Sequence, residues 1–232
     1  MEFLRGILDL CFPPATSCAL CGARLPSPVR PCDAICETCW SSLPGIKRNF
    51  PPIARHAPTG DASTAPQPIP RMRAAGFYRG NLKRAIWGLK YGGQQHLCEP
   101  LGALMARAAA DIMPADAIVP VPLHRLREQS RGFNQALLMA RVVARLSGSV
   151  VAAGKLTRAR ETLPQSSLKP EERRRNVEGA FQIRPPGALA GRRVILVDDV
   201  FTTGSTVREC AKTMLACGAV SVDILVCAMV EE

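Results

Sequence analysis

The stretch of sequence that decides the fold lies at residues 194–206 and reads Val-Ile-Leu-Val-Asp-Asp-Val-Phe-Thr-Thr-Gly-Ser-Thr. Its four apolar residues predict a short buried strand, with two carboxylates, Asp198 and Asp199, at the carboxyl end. A hydroxyl-rich turn follows and opens a helix; its residues are Thr202, Thr203, Gly204, Ser205 and Thr206. The start of a helix offers unpaired N–H groups and a positive dipole end to a phosphate. Because carboxylates accept hydrogen bonds from sugar hydroxyls or hold Mg²⁺, the pattern predicts a site for a phosphorylated sugar.

The same stretch resembles, over its whole length, the 5-phosphoribosyl-1-pyrophosphate (PRPP) fingerprint of type I phosphoribosyltransferases. Phe201 is a mild departure, since an aliphatic residue is more usual there. The alternative interpretation is an ordinary strand–helix turn in which Thr or Ser caps the helix. The complete run is far more specific than adjacent acids alone and favours PRPP. The resemblance implies that Asp198 and Asp199 bind the ribose hydroxyls, that Mg²⁺ bridges these hydroxyls to pyrophosphate, and that residues 202–206 cradle the 5′-phosphate.

The length and charge of the chain limit the class of protein but do not identify a ligand. The chain has 232 residues, enough for one α/β domain and a small extra module. Its net charge of +11 suits phosphate-rich ligands, whether PRPP, nucleotides or nucleic acid. No apolar run reaches the roughly 18 residues of a membrane span, and no convincing export signal is present, so the cytoplasm is the expected compartment. The first twelve residues predict a brief amphipathic helix, with an apolar face made of Phe3, Leu4, Ile7, Leu8 and Cys11.

A cysteine cluster near the start of the chain predicts a metal site. Two Cys-x-x-Cys pairs occur fourteen residues apart, at Cys18 with Cys21 and Cys36 with Cys39. This spacing is typical of a structural zinc site with four thiolates, which leaves no position for a catalytic water. Cys32 is an alternative ligand to Cys36, and a set of unrelated reduced cysteines or a redox pair is the alternative to zinc. The later cysteines lie in apolar patterns and are expected in the core: Cys98, Cys210, Cys217 and Cys227.

The order of predicted elements indicates an α/β fold with three segments. These are a zinc-binding, ribbon-like module at 1–49, a Pro-rich linker at 50–73 and a larger domain at 74–232. Apolar patterning predicts strands ending at 76–78 and at 117–122, 150–156, 192–198 and 220–226. It predicts helices at 81–91 with Asn81 as the cap, and at 97–112, 134–146 and 205–216. Alternating strands and helices predict an open parallel sheet with helices on both faces and a ligand at the carboxyl ends of its strands.

Two basic segments are candidates for holding a pyrophosphate leaving group. A strand that breaks at Pro120 and Pro122 leads into a loop with four basic side chains, His124, Arg125, Arg127 and Arg131. Guanidinium groups in such a loop suit a diphosphate, although an Arg-rich loop is often only a solvated surface. Residues 157–180 contain few apolar residues and suggest a mobile lid, with Arg158 and Arg160 directed at the pyrophosphate. The alternative is a plain basic loop with a short helix at 170–176.

Motifs spread along the chain, in the same order, resemble the ComF family, which is also called competence protein F. They are Cys-Ala-Leu-Cys-Gly (18–22), Ile-Cys-Glu-Thr-Cys-Trp (35–40), Leu-Lys-Tyr-Gly-Gly (89–93), Val-Pro-Val-Pro-Leu-His (119–124), Arg-Gly-Phe-Asn-Gln-Ala (131–136), Thr-Leu-Pro-Gln (162–165), Arg-Arg-Asn-Val (174–177) and the acidic run at 197–206. The resemblance implies a zinc ribbon joined to a type I phosphoribosyltransferase fold.

This resemblance implies transfer of a phosphoribosyl group from PRPP to an unidentified acceptor. The alternative is a non-catalytic adaptor that binds PRPP or a nucleotide, or a competence protein that contacts single-stranded DNA or a DNA-uptake helicase. Base-stacking surfaces use aromatic side chains, and only 5% of this chain is aromatic, which argues weakly against direct stacking on a strand. No residue pattern identifies the acceptor.

Overall fold

The computed structural model describes residues 14–43, 45–51, 53, 70–160 and 170–231. The predicted amphipathic helix at 1–12 lies outside the described residues, as do 54–69 of the predicted linker and 161–169 of the predicted lid. In chain order the strands are β1 (Ala15–Ser17), β2 (Arg24–Val29), β3 (Ile46–Asn49), β4 (Arg71–Phe77), β5 (Ala117–Pro120), β6 (Leu156–Arg158), β7 (Phe181–Ile183), β8 (Arg193–Phe201) and β9 (Ser221–Met229). The helices are α1 (Glu37–Ser41), α2 (Gly80–Tyr91), α3 (Cys98–Ala108), α4 (Arg125–Arg131), α5 (Gln135–Ser147), α6 (Pro170–Val177) and α7 (Ser205–Ala216).

The main sheet has five strands in the order β3-β4-β9-β8-β5. Strands β4, β9, β8 and β5 run parallel, whereas β3 pairs antiparallel with β4 at one edge. Alternate residues of β8 serve two cores: Ile195 and Val197 pack with one hydrophobic cluster, and Val194 and Leu196 with the other. Since α2, α3 and α5 supply the first cluster and α7 the second, helices cover both faces. The predicted open parallel α/β sheet is therefore confirmed.

Some predicted element boundaries were wrong. The strand expected at 150–156 is reduced to a single parallel bridge between Val151 and Ile118, and the true strand, β6, pairs antiparallel with β7. Asn81 does not cap α2, because the chain enters that helix through Gly80 at a φ of 54°, with Arg79 at the cap position. The helix expected at 97–112 ends as an α-helix at Ala108, and a short 3₁₀ turn follows at Ala110–Ile112.

The cysteine-bearing segment shares a hydrophobic core with the main sheet and the helices on one of its faces. Cys18 and Cys39 belong to the same hydrophobic cluster as Leu82 and Ile86 of α2. Strand β3 pairs with the start of β4, with Ile46 opposite Ala74 and Asn49 opposite Arg71. The last residues of the predicted N-terminal module, 46–49, and the last residues of the predicted linker, 71–73, therefore belong to strands of the main sheet. The division of the chain at 49 and 73 stays a prediction.

Candidate functional site

The turn after β8 builds a cradle for an anion at the start of α7. Gly204 is the residue before the helix and has a φ of 71°, which favours glycine. A Cβ atom on Gly204 would lie 2.6 Å from Cζ of the Phe201 ring. The hydroxyls of Thr203 and Ser205 lie 3.0 Å apart beside the first turn. This turn therefore combines the N–H groups at the start of a helix with two hydroxyls, which is the donor set of a phosphate site.

The cradle opens into a cavity of about 370 Å³ at the carboxyl ends of β5 and β8. Most of the side chains predicted for the site line this cavity: Asp198, Asp199, Thr202, Thr203, Gly204, Ser205, Thr206, His124, Arg127 and Arg158. Carboxylates thus form one part of the wall, hydroxyls and backbone a second, and guanidinium groups a third. This arrangement suits a ligand with a polyhydroxylated centre and anionic groups on both sides.

The acidic pair is held by a network of buried polar contacts. Lys90 Nζ lies 2.7 Å from Asp199 Oδ1, and the amide nitrogen of Gln135 donates to Asp199 Oδ2. The backbone N–H of Asp199 donates to Asp198 Oδ1 at 2.8 Å. Both oxygens of Asp199 therefore have donors within the protein.

Burial and neighbouring charges shift the pKa values of Asp198 and Lys90, and both values are raised. Burial, together with the neighbouring charge of Asp199, raises the pKa of the Asp198 carboxyl to about 7. Burial by itself lowers the pKa of Lys90, but the charge of Asp199 outweighs it, and the pKa of Lys90 is raised above its usual value. Lys90 therefore stays a cation at neutral pH, and it neutralises one of the two acids.

The loop between β5 and α5 places three basic side chains, His124, Arg127 and Arg131, on the wall of the cavity. Nδ1 of His124 accepts a hydrogen bond from the backbone N–H of Leu126 at 3.2 Å and so caps α4. Asn134 caps α5 through its side-chain oxygen and donates from Nδ2 to the carbonyl of Val121 at 3.0 Å. Because both helix starts are capped, the loop has a defined course and carries Arg127 and Arg131 to the cavity.

Two predicted side chains face elsewhere. Arg125 and Arg160 line a neighbouring groove, along with parts of the cavity wall such as His124 and Arg158. The Arg160 guanidinium donates to the carbonyls of Asn176 and Glu178, so it holds the end of α6. The short helix expected at 170–176 as the plain alternative to a lid is present as α6.

The sulfur atoms of Cys18, Cys21, Cys36 and Cys39 all lie within 4.8 Å of one another. Zn–S bonds of about 2.3 Å in a tetrahedron place sulfurs about 3.8 Å apart, and the Sγ atoms of Cys21 and Cys36 are 3.7 Å apart. Burial raises the pKa of the Cys18 thiol, but backbone N–H groups, led by that of Cys36, outweigh it and lower the value to about 6. The cluster could thus hold a metal ion such as zinc.

The geometry separates Cys32 from this cluster. It lies in a 3₁₀ turn at Pro31–Asp33, and it is absent from the group of four converging sulfurs. Of the cysteines expected in the core, Cys210 and Cys227 are buried, whereas Cys98 and Cys217 are half-buried.

The contacts of the acidic pair bear on one of the two roles that the sequence suggested for its carboxylates, direct binding of Mg²⁺. A directly bound Mg²⁺ needs free carboxylate oxygens in octahedral geometry. Asp199 offers neither oxygen, since one contacts Lys90 and the other accepts from Gln135. Direct coordination by both carboxylates therefore does not fit this arrangement.

Sequence reasoning missed two side chains that shape the site, namely Lys90 and Gln135, and it placed Arg131 in the basic loop without assigning it to the ligand. Arg131 donates to Gln135 Oε1 at 3.0 Å, and its guanidinium lies over the Tyr91 ring at 5.0 Å. All three occur in motifs that carry the ComF resemblance, at 89–93 and 131–136. A role at the acidic pair was not foreseen because α2 and α5 reach it only through tertiary packing.

Comparisons with known proteins place the chain in a family. Residues 99–230 match the family model described as phosphoribosyl transferase domain. The chain is 33% identical to DNA utilization protein YhgH of Escherichia coli over 181 residues, 75% of this chain and 79% of that protein. It is 29% identical to competence protein F of Haemophilus influenzae, with 82% of each chain covered. The chain belongs to the ComF family, whose members have a phosphoribosyltransferase fold.

More distant likenesses add little to this placement. Competence protein ComFC of Bacillus subtilis is 25% identical, over 87% of this chain and 89% of that protein. A solved structure of glutamine PRPP amidotransferase from B. subtilis, in complex with ADP and GMP, has a TM-score of 0.37 and is 23% identical. The likeness covers 53% of this chain and only 24% of that enzyme, which is too little to carry its ligands over. Among the described helices of the ComF chain, none has the length and apolar character to cross a membrane.

Proposed function

We propose that this ComF protein binds PRPP and transfers its phosphoribosyl group to an acceptor. One observation carries the proposal: a single cavity of about 370 Å³ joins the hydroxyl-lined start of α7, the acidic pair and a wall of basic side chains. PRPP has the matching order of groups, with a 5′-phosphate, a ribose with two free hydroxyls, and a pyrophosphate on C1.

The residues of the cavity have separate roles in this proposal. Backbone N–H groups and hydroxyls of 202–206 bind the 5′-phosphate. Asp198 accepts hydrogen bonds from the ribose hydroxyls, while Asp199 keeps Lys90 beside them. Arg127, Arg131 and Arg158 face the pyrophosphate. Departure of pyrophosphate places positive charge on the sugar ring and negative charge on the leaving oxygens, and fixed charges of both signs stabilise this separation.

Two metal ions complete the proposal. Magnesium would arrive with PRPP and offset charge on its diphosphate oxygens. Zinc on the four sulfurs would hold two turns of chain together, and it would have a structural role because the shell is full. The proposed compartment is the cytoplasm, where cysteines are usually reduced and thus available as zinc ligands.

Calorimetric titration with PRPP and Mg²⁺ tests the ligand. The double variant Asp198→Asn with Asp199→Asn should lose at least about 100-fold in affinity, since charged hydrogen bonds are worth about 1.5–3 kcal/mol each. The matched control carries Asp33→Asn and Asp116→Asn, two exposed acids outside the cavity. Equal PRPP affinity in the acidic-pair variant and the wild type, with both folded by circular dichroism, would refute the proposal. Pyrophosphate release with a panel of bases then tests transfer.

A second candidate function, binding of single-stranded nucleic acid, is favoured by one surface. Trp87 and Tyr91 of α2 are 55% and 64% exposed, and their rings lie 4.8 Å apart. Lys83 and Arg84 line the same groove, and Arg131 lies over the Tyr91 ring. Exposed rings flanked by cations are what sequence-tolerant binding of bases requires, and Tyr91 also lines the PRPP cavity. The chain therefore has an exposed pair of aromatic rings suited to stacking, although its overall aromatic content is low.

Fluorescence anisotropy with a labelled oligothymidylate at two salt concentrations tests this surface. Binding should weaken as salt rises, and Trp87→Ala with Tyr91→Ala should reduce affinity at least ten-fold, because each stacked base contributes about 1–3 kcal/mol. The control replaces two other exposed apolar residues, Leu146→Ala and Val220→Ala. No binding at low salt, or equal binding by both variants, removes this candidate. A helicase partner stays a prediction from the resemblance.

A further inference from the structure

Lys90 is a charged side chain placed in the interior of the site. It lies in the last turn of α2, one residue before the aromatic Tyr91, and its side chain is only 15% exposed. Its ammonium group lies 2.7 Å from Asp199 Oδ1 and lines the cavity. Burying an ammonium group costs free energy unless a carboxylate lies close to it. The acidic pair therefore stabilises the buried position of the Lys90 ammonium.

The acidic pair in turn needs a cation. Asp198 and Asp199 are adjacent, and the Asp199 side chain is only 7% exposed. Two carboxylates in a partly dry site repel each other and attract a divalent ion unless another charge is present. Lys90 supplies one positive charge at contact distance, and the Gln135 amide takes the remaining Asp199 oxygen. The Asp198–Asp199–Lys90 group therefore has a net charge of −1 with both acids ionised, and one of its four carboxylate oxygens bonds directly to an ammonium.

We propose that Lys90 is the resident cation of the acidic pair, so that the pair alone does not bind a divalent metal ion. A metal ion enters this cavity only together with an anionic ligand that brings its own oxygen atoms. The inference takes the cavity of the proposed function as its site, and it assigns Lys90 a positioning role: it occupies Asp199 and keeps that carboxylate from coordinating metal.

Manganese provides the probe, because free and bound Mn²⁺ differ in their electron paramagnetic resonance signal. The zinc-loaded protein is titrated with Mn²⁺ alone, without PRPP. Wild type should bind Mn²⁺ no more tightly than Asp198→Asn. Lys90→Gln keeps a hydrogen-bond donor near Asp199 but removes the charge, and it should increase Mn²⁺ affinity on the order of ten-fold or more. Combining Lys90→Gln with Asp198→Asn should abolish the gain.

The controls separate charge from loss of structure. Lys90→Arg keeps the charge and should behave as wild type, whereas Lys47→Gln removes an exposed charge from β3, outside the cavity, and should leave Mn²⁺ binding unchanged. If the wild type binds Mn²⁺ and Asp198→Asn abolishes that binding, the proposal is overturned, whatever the Lys90 variants show. No gain in folded Lys90→Gln would also overturn it. Calorimetry with PRPP is a separate readout: absence of PRPP binding refutes the proposed function and leaves the Mn²⁺ result standing.

Discussion

Replacing Gly204 by alanine tests how the turn before α7 is built. The φ of Gly204 is 71°, a conformation that costs a residue with a Cβ about 1–2 kcal/mol. The added Cβ would also lie 2.6 and 2.7 Å from two ring carbons of Phe201. That ring packs edge-on against Phe50, with ring centroids 5.9 Å apart, so its room to move is limited.

The backbone strain and the clash with the Phe201 ring both lower the free energy of unfolding, and denaturant unfolding measures their sum. Displacing a packed ring costs about 1–3 kcal/mol, so Gly204→Ala should lower the free energy of unfolding by about 2–5 kcal/mol. In a Phe201→Leu background the ring atoms are gone, and the same change should cost only about 1–2 kcal/mol. The difference between the two backgrounds measures the contact between residues 201 and 204.

PRPP calorimetry on the same variants connects the turn to the ligand. Because the N–H groups of the turn would shift, Gly204→Ala should weaken PRPP at least ten-fold, which corresponds to about 1.4 kcal/mol. A cost below about 0.5 kcal/mol in both backgrounds would refute the strain at this turn. Equal costs in the two backgrounds would show that the Phe201 ring does not restrict position 204.

Three other predictions concern the zinc ligands, the partly buried ion pair of Arg73 with Asp111, and the Phe50 ring that packs against Phe201. Cys36→Ser should lower the zinc content measured by atomic absorption to less than half, whereas Cys32→Ser should retain one zinc per chain; the reverse result would exchange their roles. Arg73 holds the pKa of Asp111 at about 2, below its usual 3.8, so this pair stabilises the fold above about pH 4 and loses its effect as pH falls towards 2. Asp111→Asn should therefore remove about 1 kcal/mol at pH 7, since solvent screens this half-exposed carboxylate, and little at pH 2; an equal loss at both values would contradict the linkage. Phe50→Ala should lower the free energy of unfolding by about 3–5 kcal/mol in urea, because the ring is only 2% exposed, and a change below about 1 kcal/mol would show that the ring is not part of the core.

The sequence predicted the part of the cavity wall formed by the acidic pair and the hydroxyl-rich turn, because the residues of this part are local in the chain. A strand, two acids, a hydroxyl turn and a helix follow one another within residues 194–206, and the chain cannot separate them. The two Cys-x-x-Cys pairs are local in the same way, and four converging sulfurs follow once two turns face each other. The predicted bounds of an element were wrong where its apolar pattern was short. In the run at 150–156, only Val151 bridges to Ile118, because Leu156 and the residues after it pair with β7.

The sequence by itself determined the α/β class, the strand–turn–helix unit built around residues 194–206, and the two Cys-x-x-Cys pairs, with Cys32 as an alternative to Cys36. Only the tertiary structure decided which distant side chains meet this unit. It brought Lys90 and Gln135, 109 and 64 residues before Asp199, to the two oxygens of one carboxylate, and it turned Arg160 away to the end of α6. The physical reason is that local hydrogen bonding and apolar periodicity shape each element, whereas the direction of a polar side chain depends on which elements pack together. The charge state of the acidic pair is therefore a property of the packed sheet and helices.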